Sequence, residues 1–327
     1  MKRLATFTLF VCLFAPAIFA LEGAWTASLE ESDRNRANIN ITTGHHNNMG
    51  LTMTVASFWN LTPSQLDAAT MTPVTFELRR EAGTISFEGT FKHGKGAGQF
   101  TFAPDRSYID KIRSLGLSFD LERHHRRKDR TEDDDLFTLA LHDVSTAYIK
   151  SMQAIGYNTT LEKYLTMRIF DVTPAYVKEM ESLGFGKLTD DQLVATKIHR
   201  VTPQYVREMR AAGWSLTLDE FEASRIHGAT PEFAAEMKQL GYGNLTFDDL
   251  LAFRIHHVTA ELITTLRKLG YDNVSGDDLV AMRIHGVTPE FIQEVRAAGY
   301  DHVPVEKLVE MRIHHIDARM MKAMNGQ

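Results

Sequence analysis

Between residues 21 and 103, apolar and polar residues alternate. Trp25, Ala27 and Leu29 are interleaved with Thr26 and Ser28, Ile39 and Ile41 with asparagines, and Leu51, Met53 and Val55 with threonines. Val74, Phe76 and Leu78 continue the pattern, followed by Ile85, Phe87 and Phe91 and then by Phe100 and Phe102. A period of two marks strands with one buried face. Ala82-Gly83 and His93-Gly94-Lys95-Gly96 fall between such runs and suit tight hairpin turns, because glycine takes positive φ freely. Thr62-Pro63, followed by Gln65-Leu66, reads as a short helix start. The pattern predicts about six antiparallel strands, as a small sandwich or open barrel.

Past residue 103 the period changes and the chain repeats itself. Gly116, Gly156, Gly184, Gly213, Gly241, Gly270 and Gly299 stand at steps of 40, 28, 29, 28, 29 and 29 residues. A fixed period of this size is the signature of stacked structural units. Around Gly299 the first helix of a unit starts with Thr288 as N-cap and Pro289 as first helical residue, where its missing N–H is harmless. Thr173-Pro174, Thr202-Pro203 and Thr230-Pro231 repeat this start. Phe291, Ile292, Val295 and Ala298 lie on one helical face, and Gly299 ends the helix with a left-handed turn.

An aromatic follows in most units, then a second N-cap with acids behind it, as in Thr189-Asp190-Asp191. The second helix is expected to bury Leu279, Val280 and Ile284 and to carry a cation in its last turn. The matching cations are Arg168, Lys197, Arg225, Arg254, Arg283 and Arg312. The fold class is thus α+β: a β domain over 21–103, then an α-helical solenoid of helix–turn–helix units over 104–327, with a charged insert near 122–135. Ile316, Met320, Met321 and Met324 read as the start of a further copy, with Met320, Met321 and Met324 matching Phe291, Ile292 and Val295.

The extreme N-terminus reads as an export signal over 1–20: Lys2 and Arg3, an apolar run from Leu4 to Phe14, then small residues. The one cysteine, Cys12, lies in that run, which leaves no disulfide and no thiol catalysis to the mature chain. The expected location is periplasmic or secreted, with no membrane insertion after cleavage. A net charge of −6 argues against nucleic acid as a partner.

A histidine column runs through His142, His199, His227, His256, His285 and His314, interrupted by Phe170. Metal binding is the tempting reading, with His256, His257, His314 and His315 as the weak candidates. Packed helices lie about 8–10 Å apart, whereas zinc needs each nitrogen at about 2.0–2.1 Å. The column therefore reads as helix-end structure, with no cofactor expected. His45 and His46 fall between strands as part of a polar loop. Arg123, His124, His125, Arg126 and Arg127 form a candidate binding loop, alongside its reading as a solvated insert. No phosphate-cradling glycine loop, His-Glu-x-x-His or Gly-x-Ser-x-Gly occurs.

The stretch Arg283-Ile284-His285-Gly286-Val287-Thr288-Pro289-Glu290-Phe291 resembles a repeat of exported bacterial proteins. It is also similar to C-terminal extensions of membrane metallopeptidases of the β-lactam-sensing type. The β stretch Arg79 to Thr84, with Phe87 to Phe91 and Gly96-Ala97-Gly98, resembles the segment that precedes such repeats. The resemblance implies an envelope setting and sensing, but no peptidase activity, because the zinc motif is missing from this sequence. Two functions follow as expectations. One is a non-enzymatic binding or scaffolding protein for a protein or peptide partner, monomeric or paired through its C-terminal end. The other is a hydrolase of envelope polymers, with a site at the β–helix junction near His93 and residues 122–135.

Overall fold

The computed structural model describes residues 21–44, 48–121, 131–317, 319, 320 and 323. The export signal with Cys12, His45 and His46, Arg123, His124, His125, Arg126 and Arg127, and Met321 and Met324 lie outside the described residues. The protein is α+β. Contacts divide it into two compact units, the first ending at Pro174 and the second starting at Ala175.

Unit one begins with six strands: β1 (Leu21–Leu29), β2 (Arg36–Thr43), β3 (Asn48–Thr54), β4 (Thr72–Arg80), β5 (Gly83–Lys92) and β6 (Lys95–Pro104). They form one antiparallel sheet in the order β3-β2-β1-β6-β5-β4. Its outer strands β3 and β4 are not neighbours, so the sheet is open. The expected second sheet of a sandwich is not found among the described residues. A helix takes that place, as described below.

Alternation and register agree across the sheet. Trp25 pairs with Ile41 and Gly98, Phe87 with Phe76 and Phe100, and Ile85 with Leu78 and Phe102, so all these side chains share one face. Gly98 in turn pairs with Gly89. Trp25 lies over these two glycines, where a Cβ on Gly89 would come within 2.7 Å of its ring. Its indole N–H donates to the carbonyls of Gln99 at 3.0 Å and Glu88 at 3.2 Å. The turn between β5 and β6 is the two-residue His93-Gly94, with φ 49° and 75°. Both values are positive, as a type I′ hairpin turn requires. Thr62 caps a short helix α1 (Pro63–Leu66) through a capping box with Gln65.

Helices α2 (Ser107–Ser114), α3 (Glu132–Leu141), α4 (Thr146–Ala154) and α5 (Leu161–Ile169) complete unit one. Phe137 of α3 stacks on Phe100 at 5.5 Å and meets Phe102 edge-on at 5.3 Å. The compact unit containing the sheet thus extends well past the change of pattern at residue 103. Glu132 to Asp135, read from sequence as the end of a charged insert, form the first turn of α3 behind the Thr131 capping box. Acids there complement the helix dipole.

Unit two continues the alternation of first and second helices. The first helices are α6 (Pro174–Met180), α8 (Pro203–Ala211), α10 (Pro231–Gln239), α12 (Ala260–Lys268) and α14 (Pro289–Ala297). The second helices are α7 (Asp190–Ile198), α9 (Leu218–His227), α11 (Phe247–Ile255), α13 (Gly276–His285) and α15 (Val305–Ile313). Helices α9, α11, α13 and α15 pack against one another in succession. Side-chain caps sit where the sequence places them, on Thr202, Thr230, Thr259 and Thr288 and on Thr189, Thr217, Thr246 and Ser275.

All seven turn glycines have positive φ, from 78° at Gly116 to 96° at Gly213. A Cβ on Gly241 would meet only the Arg267 guanidinium, at 3.8 Å, so any penalty comes from the backbone itself. Gly241→Ala is expected to cost about 1 kcal/mol or more, because an L side chain resists φ near 91°. Urea denaturation checks this, and an unchanged midpoint contradicts it.

At the far end, Ile316 packs against the unit-two core, but Met320, expected to be buried like Phe291, is 53 % exposed. The methionine face thus does not seal the last unit at that position.

Candidate binding face

Arg-Ile-His closes α9, α11, α13 and α15, with Lys-Ile-His in α7 and Arg-Ile-Phe in α5, and the three side chains take different fates. The cation turns inward over the aromatic of its own unit. Lys197 stands 4.1 Å from the Tyr176 ring centre, Arg225 4.6 Å from Tyr205, Arg254 4.7 Å from Phe233 and Arg312 5.0 Å from Phe291. In unit one Arg168 covers Tyr148 at 5.0 Å. Each such contact contributes about 0.5–1 kcal/mol. Leu262 replaces the aromatic in the unit of Arg283.

The same arginines reach back one unit. Arg254 Nε donates to the His227 carbonyl at 3.2 Å, Arg283 to the His256 carbonyl at 3.0 Å, and Arg168 to the His142 carbonyl at 3.2 Å. A second ladder joins the first helices. Arg210 donates to the Leu183 carbonyl at 2.6 Å, Arg267 to that of Leu240 at 2.5 Å, and Arg296 to that of Leu269. Each acceptor directly precedes a turn glycine, where helix-end carbonyls lack partners within the helix. The last-turn cations read from sequence therefore tie successive units together, as do the arginines of the first helices.

The aromatic column is matched beneath. Tyr176 and Tyr205 place their hydroxyls against the fully buried Thr196 and Ser224, at 2.8 and 2.5 Å. Where the aromatic is Phe233 or Phe291, the corresponding lower residue is Phe253 or Met311. Tyr148 of unit one has Met167 at the lower position, and its hydroxyl donates instead to the Val172 carbonyl at 2.9 Å, so each of these hydroxyls finds a partner.

The histidines stand at helix ends. His142, His199, His256 and His314 are C-cap residues, and His227 and His285 are the last residues of α9 and α13. The residue after each takes a left-handed conformation: Gly228 and Gly286, but also Asp143, Arg200, His257 at φ 56° and His315 at φ 55°. The weak metal candidates His257 and His315 are thus turn residues. Among the described residues no three His, Cys, Asp or Glu side chains gather closely enough to hold a metal ion.

The isoleucine is the exception to burial. Ile198, Ile226, Ile255, Ile284 and Ile313 are 44–55 % exposed, and Ile169 of unit one shares their position. This corrects the expectation that Ile284 is buried. The buried line of α13 runs through Leu279 and Met282, and five residues on from Leu279 the helix has turned about 140° away from that line. The signal was available in the sequence, since one large apolar residue type recurs at an angle that the core does not use.

A polar cluster in unit one is of a different kind. Glu81 accepts from the Thr146 backbone N–H at 3.0 Å and from its hydroxyl at 3.1 Å. Asp143 lies between Arg80 at 3.3 Å and Arg168 at 3.5 Å. Tyr108 donates to the Val144 carbonyl, and burial, with Glu81 and Asp143 nearby, raises its pKa. Burial first, and Arg168 second, push His142 down to about 4. These groups bond one another and the backbone, which is the work of a packing cluster. His93 does not belong to this cluster. It sits at the start of β6, while the chain enters α2 from the other end of that ten-residue strand.

Comparison with protein-family models, characterised protein sequences and solved structures yields no match. Among the described residues no helix is long and apolar enough to cross a membrane.

Proposed function

We propose that this protein is a non-enzymatic binding or scaffolding protein whose tandem helical units stack as a solenoid and present one face to a protein or peptide partner. The observation that carries this reading is the isoleucine column. Every second helix of unit two leaves the same large apolar residue half exposed, while the rest of the repeat's apolar positions are largely covered. Covering the exposed half of one isoleucine contributes about 1 kcal/mol, so several in register supply the core of a specific interface. Solenoids bind along such continuous faces. The resemblance of Arg283 to Phe291 to repeats of exported bacterial proteins supports a partner in the cell envelope.

The test is capture from envelope extract by the full chain and by an Ile226→Ser, Ile255→Ser, Ile284→Ser variant, with circular dichroism melting as the check on folding. A partner should be retained by the parent and lost by the variant. Equal retention by a folded variant would overturn the reading.

A further inference from the structure

We infer that the isoleucine face takes a basic amphipathic α-helix laid across the second helices. The inference rests on the binding reading above and assigns the chemistry of the partner. Seven residues before each isoleucine stands an acid: Asp219 before Ile226, Asp248 before Ile255, Asp277 before Ile284 and Glu306 before Ile313. All four acids are exposed. Seven residues advance a helix by about 10.5 Å and return to within about 20° of the same side. Each second helix therefore shows an isoleucine near its C-terminal end and a carboxylate near its N-terminal end, on one line.

Because α9, α11, α13 and α15 pack in succession, these lines form two parallel rows, one apolar and one acidic. On α11 and α13 the floor between them is small or apolar, with Leu251, Ala252, Val280 and Ala281, while Glu222 on α9 and Glu310 on α15 add further carboxylates. The cations beside the isoleucines stand at the C-terminal ends of the second helices, held over the aromatic rings or by the preceding unit's carbonyls, whereas the carboxylates stand at the opposite, N-terminal ends.

Two dimensions fit a helix. The rows are about 10.5 Å apart, and a helix with its side chains is about 10–12 Å across. Neighbouring second helices repeat every 8–10 Å, and one heptad advances a crossing helix by about 10.5 Å. An occupant with one apolar residue per heptad thus meets one isoleucine per unit. Its lysine or arginine flank falls on the acidic row.

The probe is a 28-residue peptide of four heptads with leucine at a and d and lysine on one flank, titrated by calorimetry into the full-length protein. Two control peptides share its length: one of the same composition scrambled, and one with glutamate in place of lysine. The expected result is binding that weakens at least tenfold on going from low to high salt. Affinity should be at least tenfold poorer for both controls. It should fall about tenfold in an Asp219→Asn, Asp248→Asn, Asp277→Asn variant and be lost in the triple isoleucine variant.

Equal binding of the lysine and glutamate peptides overturns the inference without any variant having to fold. So does the absence of heptad-peptide binding. If an envelope partner is still captured through the isoleucines in that case, the binding reading stands and only the helical, basic occupant falls. A dimer in light scattering that the isoleucine variant converts to monomer assigns the face to a second copy instead, and isoleucine-dependent binding to anionic vesicles assigns it to a membrane surface. Either result also overturns the inference.

Discussion

Trp25→Ala is expected to destabilise unit one by about 4 kcal/mol, the typical cost of truncating a fully buried large aromatic. Trp25 is among the largest fully buried side chains. It contacts Phe76 at 5.4 Å, Phe91 at 5.5 Å and Phe87 at 6.1 Å, so its removal opens the centre of an aromatic cluster. The floor under it is two glycines, which cannot relax side chains into the space. Close packing on all sides leaves the cavity largely unfilled. A folding domain commonly has 5–15 kcal/mol in total, so the loss takes a large fraction of unit one's stability. Urea denaturation followed by circular dichroism measures it. A loss below about 1 kcal/mol would show that the sheet does not depend on this cluster.

The second large effect is a pH dependence set by His142. Its folded pKa of about 4 lies below the ordinary histidine value of 6.5, because burial and the neighbouring Arg168 disfavour the imidazolium. The unfolded chain therefore binds the proton more readily than the folded one. The stability held by neutral His142 is fully present above pH 6.5 and is lost as pH falls towards 4. The full shift corresponds to about 3 kcal/mol. Phe170 occupies the matching position one unit later, so a ring without a charge fits this place in the repeat. His142→Phe should then resist acid better than the parent, with the difference growing from pH 7 to pH 4.5. Carboxylates titrate in both proteins and cancel in that difference. A constant difference across the range would contradict the assignment.

Much of the architecture is legible in the residues themselves. The alternation at Trp25, Ile39, Phe76, Phe87 and Phe100 marks the strands and their buried face, because side chains of a strand point alternately to two sides. The Thr-Pro starts and the turn glycines mark helix boundaries, because caps and positive φ are decided within a few residues. The hydroxyl pairs Tyr176–Thr196 and Tyr205–Ser224 were readable only in part, because Tyr148 stands over Met167 and its hydroxyl bonds a carbonyl instead.

Other features required the assembled chain. The strand order, which leaves β3 and β4 unpaired with each other, is set by long-range pairing that no local pattern encodes. The compact unit ends at Pro174 rather than near residue 103, because the sequence marks a change of period while Phe137 packs back onto Phe100 and Phe102. The isoleucine face belongs here too. Periodicity shows that Ile284 is apolar and where it stands around its helix, but whether that side is covered depends on what the neighbouring units place against it. The structure leaves it open on α7, α9, α11, α13 and α15 alike.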